Sequence, residues 1–184
     1  MVSVPVGRSG PGVMTREAAL AALEQVTDPE IPVLTIADLG ILRQVRVDAD
    51  GAVHVDITPT YSGCPAMDEI RADVTAALQR AGARSVEVVL VHRPAWTTDW
   101  MSADGRRKLA EYGIAPPGPR PPGGRVPLEL GYRPGLVGDG TPDPGCPRCG
   151  SSRTEELARF ASTACKSLWR CTACREPFDH FKEF

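Results

Sequence analysis

Hydrophobic positions near the start of the chain recur at helical spacing: Ala19, Leu20, Ala22, Leu23 and Val26 share one side, with charged and polar residues between them. Thr15 is placed to cap this helix, and Glu17 lies in its first turn, where a carboxylate complements the positive dipole end. Asp28-Pro29-Glu30-Ile31-Pro32 stops it, because each proline biases the residue before it away from helical geometry. The period then switches to two. Val45 and Val47 alternate with Arg46 and Asp48, and Val53, Val55 and Ile57 alternate with His54, Asp56 and Thr58. Asp50-Gly51 between the runs is a hairpin signal, so the pair is antiparallel with one buried face. Met67, Ile70, Val74 and Leu78 mark a second amphipathic helix, opened by Pro65, supported by Asp68 and Glu69 and ended by Gly82. Residues 85–91 form a valine-rich strand, and Ser102 caps a last helix ending near Gly113. The order α-β-β-α-β-α predicts an α+β fold, a small mixed sheet covered by helices.

Composition adds a boundary. The 184 residues include 18 prolines and 18 glycines, and residues 116–145 hold 9 of the former and 8 of the latter. Such a segment sustains neither a helix nor a central strand and reads as a linker, stiffened where prolines cluster. An apolar patch inside it, Val126 to Tyr132, could dock on a neighbouring surface or stay unpacked. The expected organisation is a disordered tail (1–13), a first domain (14–115), a linker (116–145) and a small C-terminal module (146–184). The net charge of −2 conceals an acidic first domain, with 15 acidic against 10 basic residues over 15–115, and a slightly basic module, with 7 basic against 5 acidic. That balance argues against a generic polyanion binder. No apolar stretch approaches the roughly 20 residues of a membrane span. The first residues lack the unbroken apolar run of a secretory signal, so a cytoplasmic location and reduced cysteines are expected.

Cysteine carries the chemistry. Cys146-Pro147-Arg148-Cys149 and Cys171-Thr172-Ala173-Cys174 form C-x2-C-x21-C-x2-C. Each C-x2-C turn can present two sulfurs to one point, which suits a tetrahedral Zn2+. About forty residues cannot bury much of a core, so a structural metal is expected to replace it. Four cysteines also ligate iron–sulfur clusters, and spacing alone does not separate the two. Cys165 is left over, either a packed apolar residue or an alternative ligand. His180 is close enough in sequence to compete as a ligand or to be an ordinary histidine. Phe178, Phe181 and Phe184, three apart, read as one aromatic face. In the first domain Cys64 precedes the second helix, where N–H groups and the dipole favour a thiolate. It reads as a reactive thiol or metal ligand, or as a small buried hydrophobe in a turn. A catalytic cysteine needs a base, and no motif ties His54 or His92 to Cys64. No catalytic residue is assigned.

Residues 20–100 resemble the small domain shared by SufT-like and cytosolic iron–sulfur assembly factors, through Asp28-Pro29-Glu30, Asp38-Leu39-Gly40 and Cys64-Pro65. The whole architecture resembles the PaaD (PaaJ) family, accessory subunits encoded with ring-1,2-phenylacetyl-CoA epoxidase. That likeness includes Trp96-Thr97-Thr98-Asp99-Trp100, Tyr112 to Pro117, Phe160 to Lys166, and Glu176-Pro177-Phe178; Ala161 stands where glycine is expected.

The resemblance implies a non-catalytic subunit in aerobic phenylacetate catabolism that helps mature or repair iron–sulfur or di-iron centres. It implies epoxidase subunits as partners, foremost the iron–sulfur flavin reductase, with a homodimer open and neither nucleic acid nor membrane expected. Cys64 matches the assembly-factor cysteine and would hold iron or a cluster transiently. Asp28, Glu30 and Asp38 match the acidic loop positions, where turn formation and capping are equal alternatives. Cys146, Cys149, Cys171 and Cys174 would hold structural zinc. Competing functions are a nucleic-acid-binding zinc ribbon, weakly favoured by the ribbon's charge and Trp169, and a thiol enzyme using Cys64.

Overall fold

The structure, a computed structural model, describes residues 14–118 and 143–184. The expected tail, most of the proline-rich segment and the Val126 to Tyr132 patch lie outside the described residues.

Helix α1 (Arg16–Leu23) starts where the Thr15 hydroxyl accepts the Ala18 N–H. It buries Ala19 and Leu23 completely, while Val26 is buried just beyond its end. Strands β1 (Leu42–Val47) and β2 (Ala52–Ile57) form the expected antiparallel hairpin. Its turn closes with the Gly51 N–H on the Asp48 carbonyl, and Gly51 has φ +83°, open to glycine but strained for other residues. Alternation along β2 is strict. Val53, Val55 and Ile57 are buried in the core, and the residues between them point outward. Helix α2 (Ala66–Arg80) presses Met67, Ile70, Val74 and Leu78 onto the same core. Strand β3 (Ser85–Leu90) then pairs parallel to β2, which makes β2 the central strand of a mixed sheet in the order β1-β2-β3.

Helix α3 (Ala103–Tyr112) is capped by the Ser102 hydroxyl, which accepts the Gly105 N–H, and ends on Gly113 in the left-handed conformation. Before it, a 3-10 turn at Thr98–Trp100 lies over Gly40. A Cβ at Gly40 would run into the Trp100 backbone, and its φ of +68° also favours glycine.

The C-terminal module is a second sheet in the order β4-β7-β6-β5. Strands β5 (Thr154–Ala158), β6 (Lys166–Cys171) and β7 (Pro177–Phe181) are antiparallel neighbours, and β4 (Ile114–Ala115) adds to β7 in parallel. The sequence suggests ribbon strands over 153–160 and 166–170, which β5 and β6 match, and it suggests neither β4 nor β7. Because β7 is a strand, residues three apart face opposite ways. Phe178 packs with Cys146, Cys171 and Ala115, whereas Phe181 enters the main core. The single aromatic face expected for Phe178, Phe181 and Phe184 is therefore divided.

The ribbon is fastened to the first unit along this edge. The Thr98 N–H donates to the Phe184 carbonyl at 3.3 Å, and the Gly118 N–H donates to Glu183 Oε1 at 2.7 Å. Phe181 lies 6.1 Å from Trp96, and Phe184 lies 6.0 Å from Trp96 and 6.3 Å, stacked, from Tyr61. Cys165 and Phe181 belong to the same buried cluster as Leu23, Val55 and Ile70.

Candidate metal and thiol sites

The four ribbon cysteines converge. Their sulfurs all lie within 4.8 Å of one another, with Cys146 to Cys174 at 3.8 Å and Cys149 to Cys171 at 3.6 Å. A Zn–S bond of about 2.3 Å sets tetrahedral sulfurs about 3.8 Å apart, so the cage matches one ion. A multi-iron cluster would spread the sulfurs wider. Each C-x2-C turn is built alike: the Gly150 N–H donates to the Cys146 carbonyl and the Arg175 N–H to the Cys171 carbonyl, both at 2.9 Å. Both residues after the turns are left-handed, Gly150 at φ +73° and Arg175 at φ +68°.

Electrostatics favour a cation between the sulfurs. The Cys174 and Ala173 N–H groups, with the neighbouring thiols, draw the Cys171 thiol down to about 6. The Glu176 N–H favours a Cys174 thiolate, yet burial and the three other sulfurs hold that thiol up at about 12. All four ionise together only when a positive ion neutralises them. His180 is not part of this cage. It is buried beside Ser167, 3.4 Å from its hydroxyl, and 3.5 Å from Glu183, with Trp169 edge-on.

The second site gathers around Cys64, in the loop between β2 and α2. The Cys64 N–H donates to the Tyr61 carbonyl at 3.3 Å. The thiol is half-buried and raised above its ordinary range, chiefly by burial. The Ala66 N–H and the Tyr61 hydroxyl favour the thiolate, but burial and the Glu30 and Asp28 carboxylates outweigh them. The expected helix-stabilised thiolate is therefore a protonated thiol at neutral pH. The Tyr61 hydroxyl, hydrogen-bonded to Cys64, is itself pushed up to about 12 by burial and by Cys64, Cys165 and Glu30.

The three acidic positions separate. Asp28 is buried, and its Oδ1 accepts the Glu30 and Ile31 N–H groups at 2.8 and 2.9 Å, closing the turn that ends the first helical segment. Burial raises its carboxyl despite those bonds and Lys166. Burial, then Asp28, raises Glu30 as well. Both act electrostatically on Cys64. Asp38 does different work. Its carboxylate accepts from the Thr35 N–H and hydroxyl at 3.1 and 3.0 Å, from the Ser102 hydroxyl at 3.1 Å and from Lys108 at 2.7 Å, tying α3 to the loop. Burial opposes its ionisation, but Lys108 and these donors hold the carboxyl below the usual range.

Tyr61, Cys165 and Lys166 are the residues that sequence reasoning did not place here. Cys165 was visible only as an unassigned thiol. His54, by contrast, is engaged at the surface with Glu87 at 2.7 Å and Asp48 at 3.0 Å.

Comparison with known proteins follows the same division. The iron-sulfur cluster assembly protein family matches residues 16–91, and the PaaD zinc beta ribbon domain matches residues 136–182. An Escherichia coli protein that bears the name of a 1,2-phenylacetyl-CoA epoxidase subunit is 47% identical over 162 residues, covering 88% of this chain and 89% of that protein. The chain belongs to the PaaD family. Two shorter proteins, both named Fe-S protein maturation auxiliary factor, resemble part of this PaaD chain. The one from Porphyromonas gingivalis is 39% identical over 53% of the chain and 92% of its own length, and the one from Bacillus subtilis is 41% identical over 47% and 85%. In PaaD terms, the C-terminal module is a zinc ribbon with a four-cysteine metal-binding group. Among the described residues no helix is long and apolar enough to cross a membrane.

Proposed function

We propose that this PaaD-family chain is an accessory subunit of a phenylacetyl-CoA epoxidase system and assists maturation or repair of its metal centres. Its partner is the epoxidase's iron–sulfur flavin reductase, and it works in the reducing cytoplasm, where the ribbon thiols stay free to hold zinc. Cys64 is the group that takes iron or a cluster in transit, with Glu30 and Asp28 beside it.

The observation that carries this reading is the setting of the Cys64 thiol: half-buried in the loop before α2, hydrogen-bonded to the Tyr61 hydroxyl and facing the charge of the Glu30 and Asp28 carboxylates, with burial raising it above its ordinary range. A metal ion must displace its proton to bind, and reprotonation opposes the bound state. Such a thiol captures a thiophilic cation reversibly, as a donor of cargo requires. The same surroundings disfavour the thiol-enzyme alternative. His54 is held by Asp48 and Glu87, and His180 faces Ser167 and Glu183, so neither is an activating base for Cys64.

The test is co-expression of the epoxidase subunits with wild-type chain or Cys64→Ser. Iron and acid-labile sulfide in the purified reductase should fall, with epoxidation falling in parallel. Unchanged cluster content and unchanged epoxidation would overturn the role of Cys64.

A further inference from the structure

The three-stranded sheet has two edges, and only one of them is protected. At the β1 edge the ladder is broken by a bulge between Leu42 and Gln44, the outward Val45 carbonyl accepts the Arg16 Nε–H at 3.3 Å, and Arg43 and Arg46 are exposed. Such devices keep a sheet edge from pairing with another chain. Strand β3 has none of them. It pairs with β2 in unbroken register from Ser85 to Leu90, carries no proline or lysine, and among the described residues no strand lies on its other side. Its backbone groups alternate. The Val91 N–H donates to the Ile57 carbonyl at 2.8 Å, so with a period of two Glu87 and Val89 also face β2, while Val86, Val88 and Leu90 present N–H and C=O groups to the open side. Side chains there are incompletely covered as well. Val86, Val88 and Leu90 pack on the main core yet stay half-buried, whereas Val53, Val55 and Ile57 beside them on β2 are at most 1% exposed. The core runs out at this edge, and Val89 on the outer face is 40% exposed.

We propose that β3 is a dimerisation edge, pairing antiparallel with β3 of a second copy of this chain about a two-fold axis through Val88. The occupant follows from the strand itself, which is its own complement in this register. Val88 faces the partner's Val88 and Val86 faces the partner's Leu90, each pair exchanging both N–H···O bonds from groups otherwise open. Directly opposed residues lie on the same face, so the half-buried side chains of the two copies meet and each core is closed by the other. Charge selects this register over its neighbour. An axis through Glu87 would set that carboxylate directly against the partner's Glu87. With the axis through Val88, Glu87 lies opposite the exposed Val89 instead, and the two carboxylates become diagonal neighbours about 7–8 Å apart. Each Glu87 keeps its bond to His54 at 2.7 Å on the outer face. A lone strand edge covers less area than a standard stable interface, so the dimer expected is reversible. The surface uses no residue of the metal cage or of the Cys64 loop and stands independently of the function proposed above.

The test uses the zinc-loaded full chain over dilutions from about 1 mM to about 1 µM, with sedimentation velocity for mass and amide exchange by NMR for the edge. A monomer–dimer equilibrium is expected. Exchange at Val86, Val88 and Leu90 should slow as the dimer forms, while Glu87 and Val89 stay protected by β2 at every dilution. Val89→Glu places a carboxylate opposite the partner's Glu87 on both sides of the axis and should weaken association by about tenfold; Val89→Lys places an ammonium there and should not weaken it. Position 89 is exposed in the single chain, and the unfolding midpoint of each variant checks its fold separately. Should either variant fail to fold, exchange in the wild type decides. A monomer at every concentration overturns the proposal, whether the three amides exchange freely or are covered by residues 1–13 or 119–142 of the same chain. A dimer whose three amides exchange as fast as in the monomer overturns it too, since another surface then holds the copies together. Association untouched by Val89→Glu, or weakened equally by both variants, overturns the register through Val88.

Discussion

Replacing Phe181 by alanine should loosen the first domain although the residue belongs to the ribbon. Its side chain is 1% exposed and lies in the main core, with the Trp96 ring 6.1 Å away at an interplanar angle of 57°. Truncating a buried phenylalanine costs about 3–5 kcal/mol, because transfer energy is lost and a cavity remains. The ring pair with Trp96 accounts for about 0.5–1.5 kcal/mol of that. For a protein of this size the loss corresponds to a fall in Tm of roughly 6–20 °C. The zinc-loaded full chain would be unfolded in urea and followed by tryptophan fluorescence, with hydrogen exchange read separately at β2 and β6. Phe160→Ala is the control: that ring is 64% exposed and rests under Lys182 at 4.2 Å, so its loss should stay within about 0.5 kcal/mol. A Phe181→Ala loss below about 1 kcal/mol, or protection lost in β6 with β2 unchanged, would refute the shared core.

Two further outcomes follow from the charged groups and the metal cage. Asp38 has its carboxyl lowered in the folded state, so its stabilisation is present above the unfolded value near 3.8 and disappears as pH falls through the folded value. Asp38→Asn should cost about 1.5–3 kcal/mol at pH 7 and flatten the acid limb of urea midpoints measured against pH; an unchanged limb would refute the ion pair with Lys108. Stripping the metal with a strong chelator should remove on the order of 10 kcal/mol of folding energy from the β5–β7 sheet, seen as lost strand signal in circular dichroism and exposure of Trp169, whereas a spectrum identical to the loaded protein would refute the structural role of the cage.

The parts of this molecule that could be read from sequence are those fixed by local chemistry. Alternation at Val53, Val55 and Ile57 locates the central strand because one face must be buried, and Asp50-Gly51 specifies its turn. Two C-x2-C turns announce the cage because their spacing alone brings sulfurs together. The parts that escaped are set by distant packing. β4 has two residues and exists only because β7 lies beside it, and β7 itself was obscured by a three-residue aromatic spacing that reads as a helical face. Cys64 carries the same lesson into the chemistry. Its position before α2 argues for a thiolate, and the Ala66 N–H does act in that direction, but burial and the charge of the Glu30 and Asp28 carboxylates outweigh it. Helix-end effects are worth at most about 2 kcal/mol and fade within one turn, whereas burial and neighbouring charge act on the whole group. The ribbon end nonetheless reaches the loop that carries this thiol, because Phe184 stacks on Tyr61, whose hydroxyl bonds to Cys64. Removing the ribbon should consequently take away the ring packed on Tyr61 and alter the setting of Cys64, which a domain-by-domain reading of the chain does not anticipate.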